Sequence, residues 1–291
     1  MKIVQIGTGG WGKNHCRVLS ELGVLSAVCD KDLHLAEEFG KKYSVNFYNS
    51  LETLLEKEEF DAAFICTPTI THADIATKLI ESKKHVFVEK PLTYLSEDGQ
   101  KLVDMANKNN VVLTCGYIER FNPAVSTVKD FLTSKKYGDL IRLEFYREHR
   151  MPQHIKDVGI IYDTAVHDID TAMWLFGKTP EVVFAIAGKI NHEHEDFATI
   201  MLGFKDNKTA TISSNWITPT RVRNFNAVCT DGRIFSDFIT QEIRIETDHG
   251  TENPKNEKTE PLLLEIKNFL GAIETKNDIK VKAEQAVNVT K

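Results

Sequence analysis

Three glycines at a fixed spacing constrain the fold of this chain more than any other feature of its sequence. Gly7, Gly9 and Gly12 form a G-x-G-x-x-G pattern, which directly follows the apolar run Ile3–Ile6 and opens a stretch with helical periodicity. In that setting the first glycine permits a tight turn, the second lets a pyrophosphate approach the backbone, and the third lets the helix pack against the strand. The pattern therefore predicts a strand, turn and helix that bind a dinucleotide through the helix N-terminus.

A carboxylate after the second predicted strand bears on which dinucleotide is bound. Asp30 directly follows the run Val24–Cys29. A carboxylate at this position accepts hydrogen bonds from the adenosine ribose and repels a 2′-phosphate. NAD is therefore expected in preference to NADP, although the neighbouring Lys31 leaves the use of both cofactors open.

Short apolar runs alternate with helical patterns over residues 1–115, which is typical of βαβ units and a parallel sheet. The runs are continuously apolar, as expected for strands that helices cover on both faces. The fold class predicted for this part is α/β, with a doubly wound parallel sheet. The predicted strands are Ile3–Ile6, Val24–Cys29, Val45–Tyr48, Ala62–Cys66, Val86–Val88 and Val111–Cys115.

The pattern changes after Gly116. Apolar and polar side chains alternate over Ile141–Tyr146, which indicates a strand with one face in water. Further β-like runs, separated by Gly, Asn and Asp, predict a mainly antiparallel sheet, and apolar residues at helical spacing predict a helix at Tyr162–Phe176. We therefore expect two domains, residues 1–117 and residues 118–291, the second also of the α/β class.

Charge, hydropathy and cysteine spacing narrow the function. The net charge of −6 argues against general binding to nucleic acid or to an anionic membrane. The longest apolar run, Val182–Ala187, is far shorter than the roughly 20 residues that a membrane span needs. The five cysteines show no C-x-x-C spacing, so neither a disulfide framework nor a metal site is expected. The charge argument leaves a small molecule as the expected partner. Because the N-terminus has no signal-peptide layout, we expect a cytoplasmic protein.

Two groups of side chains could carry chemistry. Lys90 stands between Glu89 and Pro91 at the end of the fifth predicted strand, where a lysine can meet a nicotinamide and a substrate hydroxyl. The alternative is a solvated surface charge. Asp163 and His167 share one face of the predicted helix, and a carboxylate one turn away can hold an imidazole as a general base. The alternative here is a helix whose polar side is only solvated.

Several motifs, taken in order, resemble the Gfo/Idh/MocA family of oxidoreductases. The resemblance covers essentially the whole chain. It implies a Rossmann domain followed by an α/β domain with a large, open, mainly antiparallel sheet, through which members associate into homodimers or homotetramers. It also implies an NAD(P)-dependent enzyme that oxidises a carbohydrate hydroxyl or catalyses the reverse reaction. The motifs are the glycine pattern, Thr67-Pro68 followed by His72, Glu89-Lys90-Pro91, Gly116-Tyr117, and Asp163-x-x-x-His167-Asp168.

The resemblance also implies roles for individual residues. Lys90, Asp163 and His167 are expected at the reacting carbon. In the mechanism we expect, His167 removes the hydroxyl proton, Lys90 stabilises the alkoxide and Asp163 orients the pair, but which of Lys90 and His167 is the formal base stays open. The residues expected to bind the cofactor are Gly7, Thr8, Gly9, Gly10, Trp11, Gly12, Asp30, Thr67, Pro68, His72, Glu89 and Lys90.

A narrower resemblance lies in Gly116–Ala124, where E-R-F-N-P is similar to a segment of the nucleotide-sugar branch, especially the UDP-N-acetylglucosamine 3-dehydrogenases. Tyr117, Arg120, Asn122 and Arg150 are the residues expected to bind such a substrate. A diphosphate requires cations, although charged side chains at a strand end in water would explain Arg147 and Arg150 equally well. The basic cluster before the helix consists of Arg120, Arg147, His149, Arg150, His154 and Lys156.

Other functions remain open from the sequence. One alternative is a dehydrogenase or reductase that acts on a free sugar, an inositol or a non-sugar ring. A second alternative is a non-catalytic, cofactor-binding regulator, against which the presence of Lys90, Asp163 and His167 speaks.

Overall fold

The structure is a computed structural model that describes residues 1–152, 155, 157–275 and 278–291. The chain divides into two compact units, one made of Met1–Gly116 with Leu262–Lys291 and the other of Tyr117–Pro261. The C-terminal segment, which we expected in the second domain, therefore groups with the first unit.

The first unit contains a doubly wound parallel sheet, as predicted. The strands form a six-stranded sheet in the order β3-β2-β1-β4-β5-β6, and every neighbouring pair is parallel. The strand β1 and its neighbour β4 are buried along their whole length, which accounts for their mainly apolar sequences. Gln5 of β1 is also buried, and its amide donates to the carbonyl oxygens of Ile6 and Gly7. The elements are β1 (Ile3–Ile6), α1 (Gly12–Glu21), β2 (Leu25–Cys29), α2 (Leu33–Tyr43), β3 (Asn46–Tyr48), α3 (Leu51–Lys57), β4 (Ala62–Ile65), α4 (His72–Glu81), β5 (His85–Glu89), α5 (Ser96–Asn109) and β6 (Leu113–Gly116).

The second unit contains an eight-stranded, mostly antiparallel sheet, again as predicted. Its order is β14-β13-β12-β11-β7-β10-β9-β8, and β7 and β10 form a parallel pair. Along β7, buried residues alternate with more exposed ones. The helix α7 packs on the face of the sheet that carries the buried residues of β7. The elements are α6 (Pro123–Thr133), β7 (Leu140–Glu148), α7 (Val166–Phe176), β8 (Val182–Gly188), β9 (Phe197–Phe204), β10 (Lys208–Asn215), β11 (Val222–Cys229), β12 (Gly232–Asp237), β13 (Ile243–Thr247) and β14 (Gly250–Glu252).

Two C-terminal helices, α8 (Pro261–Thr275) and α9 (Ala283–Thr290), complete the first unit. Phe269 of α8 is fully buried, and its ring centre lies 5.3 Å from that of Phe64 and 5.7 Å from that of Phe87. Between the two helices, the carbonyl oxygen of Val281 accepts a 2.7 Å hydrogen bond from the hydroxyl of Thr114 on β6. These contacts explain the grouping, which a helical pattern alone could not reveal.

The edge strand β8 exposes its apolar side chains. Val182, Phe184 and Ile186 are 63%, 56% and 61% exposed, and Val183 on the opposite face is 63% exposed. An exposed apolar edge of this kind is typical of a surface that pairs with another chain. The longest apolar run of the sequence thus forms a strand, and none of the helices that the structure describes is long and apolar enough to cross a membrane.

Candidate active site

The glycine pattern forms the turn between β1 and α1. Gly7 has φ +83°, and a Cβ atom at Gly7 or Gly12 would overlap a backbone carbonyl oxygen, that of Cys66 or that of Gly7 respectively. A Cβ atom at Gly9 would meet nothing nearer than Cδ1 of Leu35, which is 4.0 Å away. The first and third glycines are therefore required by the fold itself, whereas the second leaves open space beside the backbone.

This open space fits the pyrophosphate of a dinucleotide. No described side chain caps the N-terminus of α1 at Trp11, so the first N–H groups of the helix are available to an anion. Gly10 has φ +39°, and Trp11 is 46% exposed. Gly9, Gly10 and Trp11 thus form an open cradle whose donors match phosphate oxygens.

Asp30 contacts the glycine turn directly. One carboxylate oxygen accepts hydrogen bonds from the backbone N–H and the hydroxyl of Thr8, at 2.8 and 3.1 Å, and the other accepts from the backbone N–H of Asp32 at 3.0 Å. A carboxylate offers about four acceptor positions, so capacity for a ribose hydroxyl is left. Asp30 therefore braces the glycine turn, a role that was not predicted from the sequence, and its contact with a ribose stays a prediction.

The turns after β4 and β5 are tied together by His72. Its ring is buried, with Nε2 2.9 Å from the carbonyl oxygen of Thr67 and Nδ1 2.9 Å from that of Pro91. This link holds Thr67, Pro68 and Lys90 at the carboxyl edge of the parallel sheet, the edge at which such folds bind dinucleotides.

Glu89 fixes the backbone from which Lys90 projects. Its Oε1 lies 2.8 Å from Nε2 of His15, and its Oε2 accepts a 3.1 Å hydrogen bond from the backbone N–H of Lys90. A Cβ atom at Gly116 on β6 would come within 2.9 Å of this carboxylate, so glycine makes room for it there. Lys90 itself is half-buried at the end of β5.

The neighbouring Cys66 is a poor metal ligand. Its Sγ, a ring nitrogen of His15 and an oxygen of Glu89 lie within 4.8 Å of one another. Burial, followed by the charge of Glu89, raises the pKa of the Cys66 thiol well above its ordinary value. Because the thiolate is the form that binds metals and His15 is already bonded to Glu89, this donor set does not favour a metal.

The structure corrects the start of the predicted helix Tyr162–Phe176. The α-helix begins at Val166, and a π-helical turn, Ile161–Ala165, precedes it. Asp163 lies within this wider turn and His167 in the first turn of α7, so their spacing spans a change of helix type. Such π-helical turns are frequent at functional sites.

Hydrogen bonds orient the carboxylate of Asp163. It accepts a 3.0 Å hydrogen bond from the hydroxyl of Thr164, whose oxygen in turn accepts from Nε1 of Trp216 at 3.3 Å. Asp163 and His167 are both half-buried, which leaves part of each side chain accessible. The two residues belong to the second unit, whereas Lys90 belongs to the first.

Two arginines of the predicted basic cluster are buried in ion pairs. Arg120 donates to both oxygens of Asp170, at 2.9 and 2.6 Å. Arg147 donates to Asp168, at 2.8 Å in the shortest bond, and to Glu119 at 3.0 Å. Burial raises the pKa of both aspartates, and the paired guanidinium opposes this shift. The charges of Asp168 and Glu119 outweigh burial and raise the pKa of Arg147. Because charge-assisted, bidentate pairs of this kind are strong, we treat them as ionised.

The E-R-F-N-P segment also forms bonds within its own unit. Asn122 is 1% exposed; its side-chain oxygen accepts from the backbone N–H of Ala124 at the start of α6, and its amide donates to the carbonyl oxygen of Phe238 at 2.9 Å. Tyr117 is fully buried, while Arg150 is exposed. Contact of Tyr117, Arg120, Asn122 and Arg150 with a substrate stays a prediction. Two further members of the cluster lie outside the described residues: His154 and Lys156.

A different pair of arginines, Arg221 and Arg223, acts on His149. His149 directly follows β7 and is half-buried, and its Nδ1 donates a 2.7 Å hydrogen bond to the carbonyl oxygen of Arg150. Burial lowers the pKa of His149, the positive charges of Arg223 and Arg221 lower it further, and Asp163 opposes the shift. Sequence reasoning missed both arginines, because nothing in the pattern of β11 shows that it pairs with β7.

Comparison with known proteins identifies the family. Residues 1–117 match the model of the oxidoreductase family with an NAD-binding Rossmann fold, and residues 125–235 match the GFO/IDH/MocA C-terminal domain. The chain belongs to the Gfo/Idh/MocA family of oxidoreductases. The resemblance predicted from the motifs is confirmed, and this oxidoreductase is an NAD(P)-dependent enzyme that acts on CH–OH groups.

Several relatives of this oxidoreductase have names that indicate a substrate. A UDP-N-acetylglucosamine 3-dehydrogenase from Acidithiobacillus ferrooxidans is 27% identical over 283 residues, 94% of this chain and 88% of the relative. Its solved structure has a TM-score of 0.92 at 26% identity and covers 100% of this chain and 94% of that one. A myo-inositol 2-dehydrogenase from Thermotoga maritima is 27% identical over 85% of this chain and 78% of the relative.

A more distant neighbour has the same fold. An oxidoreductase from Agrobacterium radiobacter, solved with NAD+, L-tartaric acid and magnesium, has a TM-score of 0.91 at 18% identity and covers 100% of this chain and 93% of that chain. At that identity the likeness concerns the fold alone.

Proposed function

We propose that this oxidoreductase uses NAD to oxidise a secondary hydroxyl of a nucleotide sugar, with C3 of UDP-N-acetylglucosamine as the reacting position. The observation that carries the proposal is the match to the dehydrogenase of that name, which spans 94% of this chain by sequence and has a TM-score of 0.92. The similarity of the E-R-F-N-P segment to the nucleotide-sugar branch supports this substrate class. So do Arg221 and Arg223, whose side chains have no partner among the residues that the structure describes and could meet a diphosphate.

The preference for NAD over NADP rests on Asp30. Its carboxylate is held at the glycine turn by Thr8, so it is fixed in place before any cofactor binds. A fixed negative charge at the end of β2 accepts hydrogen bonds from ribose hydroxyls and repels a 2′-phosphate.

Three side chains carry the proposed mechanism. The ammonium group of Lys90 donates a hydrogen bond to the substrate oxygen and stabilises negative charge as it develops there. The imidazole of His167 takes the hydroxyl proton as general base. Asp163, whose carboxylate accepts a hydrogen bond from the hydroxyl of Thr164, orients the imidazole of His167. When bound, the nicotinamide ring accepts the hydride from the carbinol carbon.

A panel of substrates tests this proposal. The purified protein is mixed with NAD and, separately, with UDP-N-acetylglucosamine, UDP-glucose, free N-acetylglucosamine and myo-inositol, and NADH absorbance is followed. We expect turnover with the UDP-sugars and the highest kcat/KM with UDP-N-acetylglucosamine. Turnover with myo-inositol and none with either UDP-sugar would contradict the proposal. That result would favour the second candidate, an inositol dehydrogenase, to which the 27% identity over 85% of the chain points.

We further propose that the protein forms a homodimer or homotetramer through the sheet of the second unit. The support is β8, whose apolar side chains, among them Phe184 and Ile186, are more than half exposed in the single chain. Pairing such an edge with a second copy would remove this surface from water.

A further inference from the structure

The strand β11 places Arg223 beside a guanidinium that is already fully paired. Arg223 lies opposite Arg147 in the antiparallel ladder of β11 and β7, so the two side chains point to the same face of the sheet. Arg147 is bonded to Asp168 and Glu119. The side chain of Arg223 makes no hydrogen bond or ion pair with any residue that the structure describes, and its Nε is buried without a hydrogen-bond partner.

Burying the guanidinium of Arg223 without a partner destabilises the folded chain, because its N–H groups lose water and gain no acceptor. Burial, then the charges of Arg147 and Arg221, lower the pKa of Arg223 to about 10. The negative charges of Glu119 and Asp168 oppose this shift but do not cancel it. Donors that have lost water and gained no protein acceptor are satisfied best by an anion that arrives from solution.

A second arginine stands next to this one. Arg221 directly precedes β11 and lies two residues before Arg223. Arg221 is exposed and, within the described ranges, also lacks a hydrogen-bond partner. Both arginines and Asp163 act electrostatically on His149, so all four groups share one region of the second unit.

We propose that Arg221 and Arg223 bind a phosphate group of the substrate, in a subsite of the second unit beside His149. This inference rests on the proposed function, because a nucleotide sugar carries the diphosphate that the subsite would take. The planar fork of an arginine matches two oxygens of a phosphate at once, and two adjacent forks match a diphosphate. The competing explanation is structural: Arg223 would only balance the charges of Glu119 and Asp168.

Calorimetric titration with UDP tests the subsite. Saturating NADH is present throughout, so that the glycine turn is filled and UDP cannot bind there. Arg223→Gln and Arg221→Gln are compared with Arg142→Gln, which removes an exposed arginine of β7 that is paired with Glu144. Uridine serves as the uncharged probe, and thermal unfolding reports on folding.

The expected result is an increase in the Kd for UDP of about 10- to 100-fold in each subsite variant, the range for loss of a charged hydrogen bond. The binding of uridine should not change, and Arg142→Gln should bind both probes as the wild type does. UDP binding at wild-type affinity in Arg223→Gln and Arg221→Gln would overturn the inference. If Arg223→Gln does not fold, the exposed Arg221→Gln still decides between the two explanations.

Two further probes separate this inference from the proposed function: inorganic pyrophosphate, a diphosphate without sugar or base, and D-glucuronate, a sugar whose charge is a carboxylate. Suppose that the wild type binds pyrophosphate, that the variants do not, and that no UDP-sugar is turned over. This result would support the subsite and refute the proposed function. Turnover of UDP-N-acetylglucosamine with an unchanged KM in both variants would refute the subsite alone. A wild-type protein that binds neither UDP nor pyrophosphate, or that binds glucuronate in preference to both, would overturn the phosphate subsite.

Discussion

Alanine substitutions at Gly9 and Gly12 distinguish a glycine that cofactor binding requires from one that the fold requires. At Gly9 the new Cβ would find only Cδ1 of Leu35, at 4.0 Å, so Gly9→Ala should fold as the wild type does. At Gly12 the new Cβ would overlap the carbonyl oxygen of Gly7 and lie 2.9 Å from its carbon and 3.3 Å from Cβ of Cys66. Carbon atoms in contact prefer about 3.5–4.0 Å, and a backbone carbonyl cannot rotate away as a side chain can.

The magnitudes follow from these contacts. Overpacking of this kind costs about 1–3 kcal/mol, which should lower the Tm of Gly12→Ala by roughly 2–10 °C. In Gly9→Ala the same cost should appear only when the pyrophosphate enters the open cradle. The Kd for NAD should then rise roughly 5- to 150-fold while the Tm stays within about 1–2 °C of the wild type.

Differential scanning fluorimetry without cofactor gives the Tm, and titration of intrinsic fluorescence with NAD gives the Kd. The reasoning predicts opposite patterns: Gly9→Ala keeps its stability and loses affinity, whereas Gly12→Ala loses stability. A Gly9→Ala protein that binds NAD as tightly as the wild type would refute the assignment of this turn to the pyrophosphate. An unchanged Tm in Gly12→Ala would refute the contact argument.

The remaining predictions concern single side chains. Lys90→Ala should lower kcat by roughly 100-fold and leave the Kd for NAD nearly unchanged; unchanged turnover would remove Lys90 from the mechanism. His167→Asn should lower kcat and flatten the acidic limb of the pH–kcat/KM profile, and Asp163→Asn should do the same more weakly; wild-type rates with an unchanged limb would place the base elsewhere. Asp30→Ala should narrow the preference for NAD over NADP by about 1–2 kcal/mol in kcat/KM, whereas equal wild-type use of both cofactors would refute the role of the carboxylate. Phe184→Glu should reduce the mass of the oligomer in light scattering, and an unchanged mass would exclude β8 from the interface.

The parts of the fold that are encoded locally could be predicted. The apolar runs of the first unit, such as Ala62–Ile65, coincide with strands because strands covered by helices on both faces consist mainly of apolar residues. The glycine turn could be predicted because its requirements depend on a few consecutive residues. The packing of Phe269 against Phe64 and Phe87 could not be predicted, because the apolar face of a helix does not specify which surface covers it.

Less of the second unit could be predicted from the sequence. Arg120 and Arg147 both belong to the basic cluster predicted from the sequence. In the folded chain each is paired with an aspartate of α7, Asp170 and Asp168 respectively. The polar face predicted for that helix is in part a buried set of ion pairs. Charge counted along the sequence therefore overestimates the cations available to a substrate.

Transfer of the hydrogen from a defined carbon tests the central claim most directly. UDP-N-acetylglucosamine that carries deuterium at C3 is incubated with the protein and NAD, and the mass of the reduced cofactor is measured. The account predicts reduced cofactor one mass unit heavier than NADH, formed more slowly than from the unlabelled sugar. Reduced cofactor without deuterium, or no reduced cofactor from this sugar under conditions in which myo-inositol is oxidised, would contradict it.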